Sequence, residues 1–185
     1  KAKVFLNKII RFETFHTALQ YLSYALAGLP YMGTGRNLAY KKELFLKNKG
    51  FSAHNHLPGG DDDLFINATA TGKNTSIVIE KDSFTFSEPK KTWSEWVKQK
   101  QRHYTTARHY KAVHRFLLGL YAISLFLFYP LLVASAFMYR WEYVLVVFLL
   151  RLTIQGIILR KTMEKLDEID LWKWFWAFDI WMFFY

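Results

Sequence analysis

FLLGLYAISLFLFYPLLVASAFM, residues 116–138, runs from end to end without a charged side chain. A helix needs about 20 apolar residues to cross a bilayer. Pro130 inside the run is tolerated there, because neighbouring groups take up the carbonyl it frees. A second apolar run, residues 143–159, is interrupted only by Arg151. Tyr139-Arg140-Trp141-Glu142 is the whole connection, too short for anything but a hairpin of antiparallel helices. Arg151 inside a span must face protein, water or lipid phosphate, and snorkelling or helix pairing is the favoured reading. A further apolar stretch from residue 171 to the end reads as the start of a third span or as an interfacial helix. Lys173 and Asp179 within it count against a span.

Upstream of this region the composition changes. The 185 residues are 52% hydrophobic with a formal net charge of +10, but residues 1–111 form a charged, polar mixture. A soluble protein would interleave the two compositions, so the split indicates a polar domain attached to a membrane region. The absence of cysteine excludes a disulfide scaffold and any thiolate metal site. Basic side chains gather before the first apolar run (Lys98, Lys100, Arg102, Arg108, Lys111, Arg115) and return after the second (Arg160, Lys161, Lys165). Positive charge on one side of a hairpin marks the cytoplasmic side, which predicts a cytoplasmic polar domain on an integral protein of the plasma or inner membrane. Nucleic acid is the weaker partner for this charge, since the aromatics cluster in the spans and do not line a basic groove. Residues 1–11 are charged and have no apolar core, so they are no signal peptide. An abrupt start at Lys1 and an end inside an apolar run read as cuts in a longer protein.

Within the polar part, residues 4–27 have helical periodicity. Phe15, Ala18, Leu19, Leu22 and Leu26 fall on one face, with Glu13, His16 and Gln20 opposite, and Gly28 and Pro30 end the helix. A loop with two glycines, Gly33-Thr34-Gly35-Arg36-Asn37, leads into residues 38–45, and residues 48–60 are loop. Asp61-Asp62-Asp63 opens a helix over residues 64–70, where acidic residues complement the N-terminal dipole. Residues 75–80 alternate as a strand does, and residues 83–87 suggest another. Residues 93–111 form an amphipathic helix with Trp93, Trp96, Val97, Tyr104 and Ala107 on its apolar stripe and Arg102 roughly opposite. Such a helix suits the membrane interface. The expected organisation is a polar domain over residues 1–92, an interfacial helix over 93–111 and a membrane region over 112–185.

Three places carry residues suited to chemistry. Asp61, Asp62 and Asp63, preceded by Gly59-Gly60, repel one another and call for a nearby proton or cation; a base that takes a proton from a hydroxyl needs such a carboxylate. Taken alone, the triplet is more often a solvated helix start. Gln99 and Arg102 lie on one side of their helix, and a guanidinium grips a diphosphate with paired hydrogen bonds; alone, they are an ordinary basic face. Gly33 and Gly35 let the backbone approach a ligand, although a lone G-x-G is usually a plain turn. His54 and His56 read as surface histidines, and no metal centre is assigned. Asn67-Ala68-Thr69 and Asn74-Thr75-Ser76 match the glycosylation acceptor pattern, which goes unused in a cytoplasmic domain.

Taken in order, these segments resemble family 2 glycosyltransferases of the membrane-embedded, GT-A type, the class of cellulose, chitin and hyaluronan synthases. The resemblance covers nearly the whole chain, and the combination is specific where each motif is not. Gly33-Thr34-Gly35-Arg36-Asn37-Leu38-Ala39-Tyr40 resembles the segment lining the acceptor and donor-sugar pocket. Gly60-Asp61-Asp62-Asp63-Leu64 resembles the element that supplies the catalytic base, which puts the base at Asp61 and its supporting acid at Asp63. Asp62 takes the base's place if the register slips by one. Gln99-Lys100-Gln101-Arg102-His103 resembles the Q-x-x-R-W motif that contacts diphosphate and acceptor.

The fold so implied is α/β: the acceptor-side part of a GT-A domain followed by a transmembrane helical hairpin. The resemblance implies inverting transfer from a nucleotide-sugar donor to a glycan or lipid-linked acceptor beside membrane lipid. It also implies a divalent cation, Mg2+ or Mn2+, held mainly by an upstream half that carries the nucleotide-binding strands and the D-x-D motif. The fragment alone is therefore expected not to turn over. Two residues depart from the pattern. His103 replaces the usual Trp, which weighs against processive polymer synthesis, and Gly60 replaces an acidic residue. The competing readings are a non-catalytic membrane scaffold with a lipid-binding basic face and a different phosphate-handling membrane enzyme. The second would hold Mg2+ on aspartates within its spans, whereas this triplet lies far upstream of them.

Overall fold

The computed structural model describes residues 4–57 and 59–184, with the side chain of Arg102 outside the description. The chain divides into two compact units, Lys1–Arg115 and Phe116–Tyr185.

In the first unit, α1 (Phe5–Leu26) buries Leu6, Ile9, Phe12 and Phe15, a helical repeat that keeps one stripe against the core. Glu13 departs from the sequence reading. It lies on the buried side, 6% exposed, and forms an ion pair with Lys100. After a single 3-10 turn at Gly35–Asn37 come α2 (Lys42–Lys47) and α3 (Asp63–Thr69). Phe65, Ile66 and Ala70 of the α3 region form a core with Leu38, Leu44, Phe45 and Phe51 around them. The Tyr40 and Phe51 rings lie 4.7 and 5.9 Å from Phe65. Burying a phenylalanine in this way contributes about 1.5–3 kcal/mol, and it fixes the helix whose first turn carries the acidic triplet.

The expected α/β fold is not what the chain adopts: among the described residues there is no strand. Residues 75–80 have no regular secondary structure, and Thr75, Ile77 and Ile79 are half-buried while Ser76, Val78 and Glu80 are exposed. The alternation read from sequence is therefore real, but it records which face is covered. A strand also needs a neighbour to bond; among the described residues neither this segment nor residues 83–87, the first of which closes a 3-10 turn at Lys81–Ser83, is paired in a sheet.

Helix α4 (Trp93–Thr106) begins at Thr92, whose side chain accepts from the Glu95 amide at 3.3 Å. It stops short of the expected residue 111. A 3-10 turn at Ala107–His109 follows and turns Tyr110 inward to 7% exposure. Of the predicted apolar stripe, Trp96 is buried, while Trp93, Val97 and Tyr104 remain exposed.

The division between the units falls inside α5 (Ala112–Met138), which is followed by α6 (Trp141–Lys165). Both helices are long and apolar enough to cross a membrane. At 1.5 Å per residue they run to roughly 40 Å, beyond the ~30 Å hydrocarbon layer. Phe116, Val133 and Phe137 are 69%, 59% and 88% exposed, as befits helices that face lipid and unlike the core helix of a soluble protein. A 3-10 segment at Ile169–Trp174 leads into α7 (Phe175–Phe184). Its length, about 15 Å, is half a bilayer. Trp172 Nε1 donates to the Gly156 carbonyl at 3.0 Å, and Leu171 and Met163 are fully buried.

Inside this apolar unit lies one polar cluster. Asp179 of α7, 2% exposed, accepts from Arg151 Nη1 at 2.6 Å and Nη2 at 2.9 Å, Gln155 Nε2 at 2.6 Å and the Tyr129 hydroxyl at 2.6 Å. The guanidinium lies 4.0 Å from the Phe128 ring centroid. Arg151 thus pairs with a helix, the reading favoured for it. Asp179, which weighed against a third apolar element, is the residue that ties α7 to α5 and α6.

Candidate functional site

The three aspartates occupy three different environments. Asp61 is exposed and has no protein partner among the described residues. Asp62 is half-buried and caps α3. Its Oδ1 accepts from the Asp63 amide at 2.8 Å, and its Oδ2 accepts from the Gly35 amide at 2.7 Å. Asp63 is 7% exposed. Its Oδ1 accepts from the Leu64 amide at 2.8 Å, and its Oδ2 accepts from the Thr106 hydroxyl at 2.6 Å and the Tyr110 hydroxyl at 2.7 Å. Thr106 Oγ1 also lies 2.8 Å from the His103 carbonyl. Its single proton goes to the carboxylate, the stronger acceptor.

These bonds bring together segments that the sequence holds far apart. The G-x-G turn meets the triplet through Gly35 and Asp62, and a β-carbon on Gly35 would come within 3.1–3.2 Å of that aspartate. Gly33 packs instead on Leu38 and Ile66. Arg36 turns away, donating to Ser87 Oγ, and Asn37 is exposed. On α4, Gln99 is half-buried and His103 exposed; the Arg102 side chain lies outside the described residues. Lys100 between them pairs with Glu13 of α1, which sets the rotation of the helix. His54 is buried beside Phe51 while His56 is exposed, so the histidines do not converge. Asn67, 3% exposed, donates to the Tyr31 carbonyl and to His114 Nδ1, both at 2.9 Å, and accepts from the Lys111 amide at 2.8 Å.

Tyr110, Thr106 and Glu13 did not stand out in the sequence. A tyrosine just past an amphipathic helix is the clue available, because a buried phenol needs a partner for its hydroxyl. Burial, and then the adjacent Asp63 carboxylate, push the Tyr110 hydroxyl well above the usual tyrosine range, so it remains a donor. The departure at Gly60 also has a local cause. Its φ is +92°, and a β-carbon there would lie 2.5 Å from Leu64 Cδ1 and 3.4 Å from Thr106 Cγ2. Any side chain, acidic or not, would be strained at this position. Gly60→Ala is expected to cost about 1–3 kcal/mol, read as a lowered unfolding midpoint in a denaturant titration.

The described residues do not make a cation site. No group of three or more His, Cys, Asp or Glu side chains converges among them. The oxygens of Asp62 and Asp63 are already committed to amides and hydroxyls. Of the triplet, Asp61 is the carboxylate without a partner among the described residues, exposed at the start of the turn that Asp63 ties to the end of α4.

The family model described as Glycosyl transferase family group 2 matches residues 4–185. No curated protein and no solved structure matches the chain.

Proposed function

Because the chain belongs to glycosyl transferase family group 2, we propose that it transfers a sugar, with inversion, from a nucleotide-sugar donor to a glycan or lipid-linked acceptor. The reaction takes place at the cytoplasmic face of the plasma or inner membrane. The observation that carries this reading is the contrast among the aspartates: Asp62 and Asp63 are locked by hydrogen bonds, and Asp61 is left exposed with its oxygens free. A general base needs both a free lone pair and a fixed position. Asp61 takes the proton of the acceptor hydroxyl as that oxygen attacks the anomeric carbon and the nucleoside diphosphate departs. Gln99 and Arg102 on α4 meet the growing negative charge of the leaving diphosphate, where preorganised donors are most effective. The resemblance assigns Gly33, Gly35, Arg36 and Asn37 to the sugar side and His103 to the acceptor; of the four, Gly35 is the one whose amide bonds the acidic triplet, while Arg36 bonds Ser87. The divalent cation that the resemblance implies would be held mainly by the upstream half; among the described residues no group of three or more His, Asp or Glu side chains converges to hold it.

The basic residues flanking two helices of spanning length support the membrane reading, and the hairpin anchors the chain in the bilayer that would carry a lipid-linked acceptor. The test is nucleoside diphosphate release by the protein expressed from its complete reading frame, in detergent, against UDP-glucose, UDP-N-acetylglucosamine, UDP-galactose and GDP-mannose with Mg2+ or Mn2+. Release selective for one donor is the expected result. No release from any of them, in protein shown to be folded, would replace this reading with a non-catalytic membrane module.

A further inference from the structure

We propose that Tyr110 and Thr106 are positioning residues for glycosyl transfer: through Asp63 they fix the acidic turn against the end of α4 and so set Asp61 relative to Arg102. The inference rests on the proposed transferase function and adds residues to its site.

Asp61 makes no side-chain bond among the described residues, so its place is set by its neighbours. Asp63 is the buried one, and two hydroxyls from the far end of α4 converge on its Oδ2 at 2.6 and 2.7 Å. Thr106 is the last residue of α4, and Tyr110 lies just beyond the 3-10 turn. Together they hold the carboxylate from both sides of that turn. A second anchor sits on the same helix. Lys100 pairs with Glu13, whose side chain is 8% exposed. Arg102 lies between Lys100 and Thr106, so its backbone position is pinned from two directions. Neighbouring contacts reinforce the arrangement: Tyr31 lies 5.8 Å from the Tyr110 ring, and the Tyr31 carbonyl accepts from Asn67.

The chemical consequence is geometric. A base must reach its proton at hydrogen-bond distance, and a misplacement of about 1 Å can cost roughly 100-fold in rate. Burial and the Asp63 carboxylate hold Tyr110 in its protonated form, so it remains a donor to Asp63 Oδ2. Neither hydroxyl touches substrate, and both act through Asp63.

The experiment uses the complete protein with the fastest of the four nucleotide-sugar donors, and rates are expressed per folded, monodisperse molecule. Tyr110→Phe and Thr106→Val each delete one hydroxyl bond and are expected to lower kcat about 10-fold, with the donor KM within about twofold. Thr106→Ser, which keeps the hydroxyl, is expected to restore kcat to within about twofold. In the Asp61→Asn background, Tyr110→Phe should cost little more, because the residue acts through the base. If Tyr110→Phe fails to fold, the Thr106→Val and Thr106→Ser pair decides alone. Unchanged kcat in the hydroxyl deletions, alongside an inactive Asp61→Asn, overturns the clamp and leaves the transferase standing. A full further loss in the double variant also overturns it. Activity unaffected by Asp61→Asn, or no release from any donor, overturns the functional reading and the clamp with it.

Discussion

Asp61→Asn should lower kcat for nucleoside diphosphate release by between about 10² and 10⁴, the usual contribution of a positioned general base. The amide has the shape of the acid but no basic oxygen, and the side chain it replaces is exposed and unbonded, so folding should be unaffected. Asp62→Asn is the instructive comparison. Its two oxygens face two amide donors, Gly35 and Asp63, and an asparagine must turn its NH2 toward one of them. That change weakens the tie between the G-x-G turn and α3, and it should appear first as lost stability. A loss of about 10² or more in kcat confined to Asp62→Asn, with Asp61→Asn near wild type, would move the base by one residue and keep the family. Steady-state release by both variants, beside their thermal unfolding, separates the outcomes.

The second large effect is expected in the membrane region. Asp179→Ala removes the buried acceptor that faces Arg151, Gln155 and Tyr129 and strands a half-buried guanidinium. Breaking a buried pair from one side typically costs about 3–5 kcal/mol, and the unit should lose the docking of α7. Arg151→Leu with Asp179→Leu removes both charges at once. Replacing a buried pair by apolar side chains is often neutral or stabilising, so the double variant should recover most of the loss. Thermal unfolding in detergent, with accessibility of a cysteine placed at the exposed Phe184 as a local probe of α7, reads both. If Asp179→Ala leaves the midpoint and the labelling rate unchanged, the cluster does not hold the helices together.

The two long helices were legible because a charge-free run of spanning length has few other uses, and their connection was too short to allow a different topology. The helices at residues 5–26 and 63–69 followed from periodicity and from an acidic first turn. The sheet was misread for a physical reason. Alternation at residues 75–80 tells which side chains are covered, whereas pairing depends on a neighbouring strand that local sequence does not encode. The acidic triplet stood out in the sequence, but the three different environments of its carboxylates did not. Three identical letters acquire separate roles from Gly35, Thr106 and Tyr110, which lie 27, 43 and 47 residues from the aspartates they bind. Glu13 was misread for the same kind of reason. Helical periodicity places it beside polar neighbours, and the distant Lys100, with Thr17 donating to its Oε1 at 3.4 Å, makes burial tolerable. Asp179 counted against a third span, and α7 is too short to be one; what the sequence did not show is that this carboxylate ties α7 to Tyr129, Arg151 and Gln155.

Asn67 gives the polar unit a constraint on where it can mature. Its amide is buried and bonded on both sides, to Tyr31 and His114 through nitrogen and to Lys111 through oxygen, yet it heads a glycosylation acceptor triplet with Thr69. A sugar attached during translocation would occupy the one nitrogen that those bonds require and would be too bulky for the site. The nearby Asn74 is exposed, with its amide nitrogen donating to the Thr69 carbonyl at 3.1 Å. A sugar placed on Asn67 before folding would thus block the native arrangement of this unit.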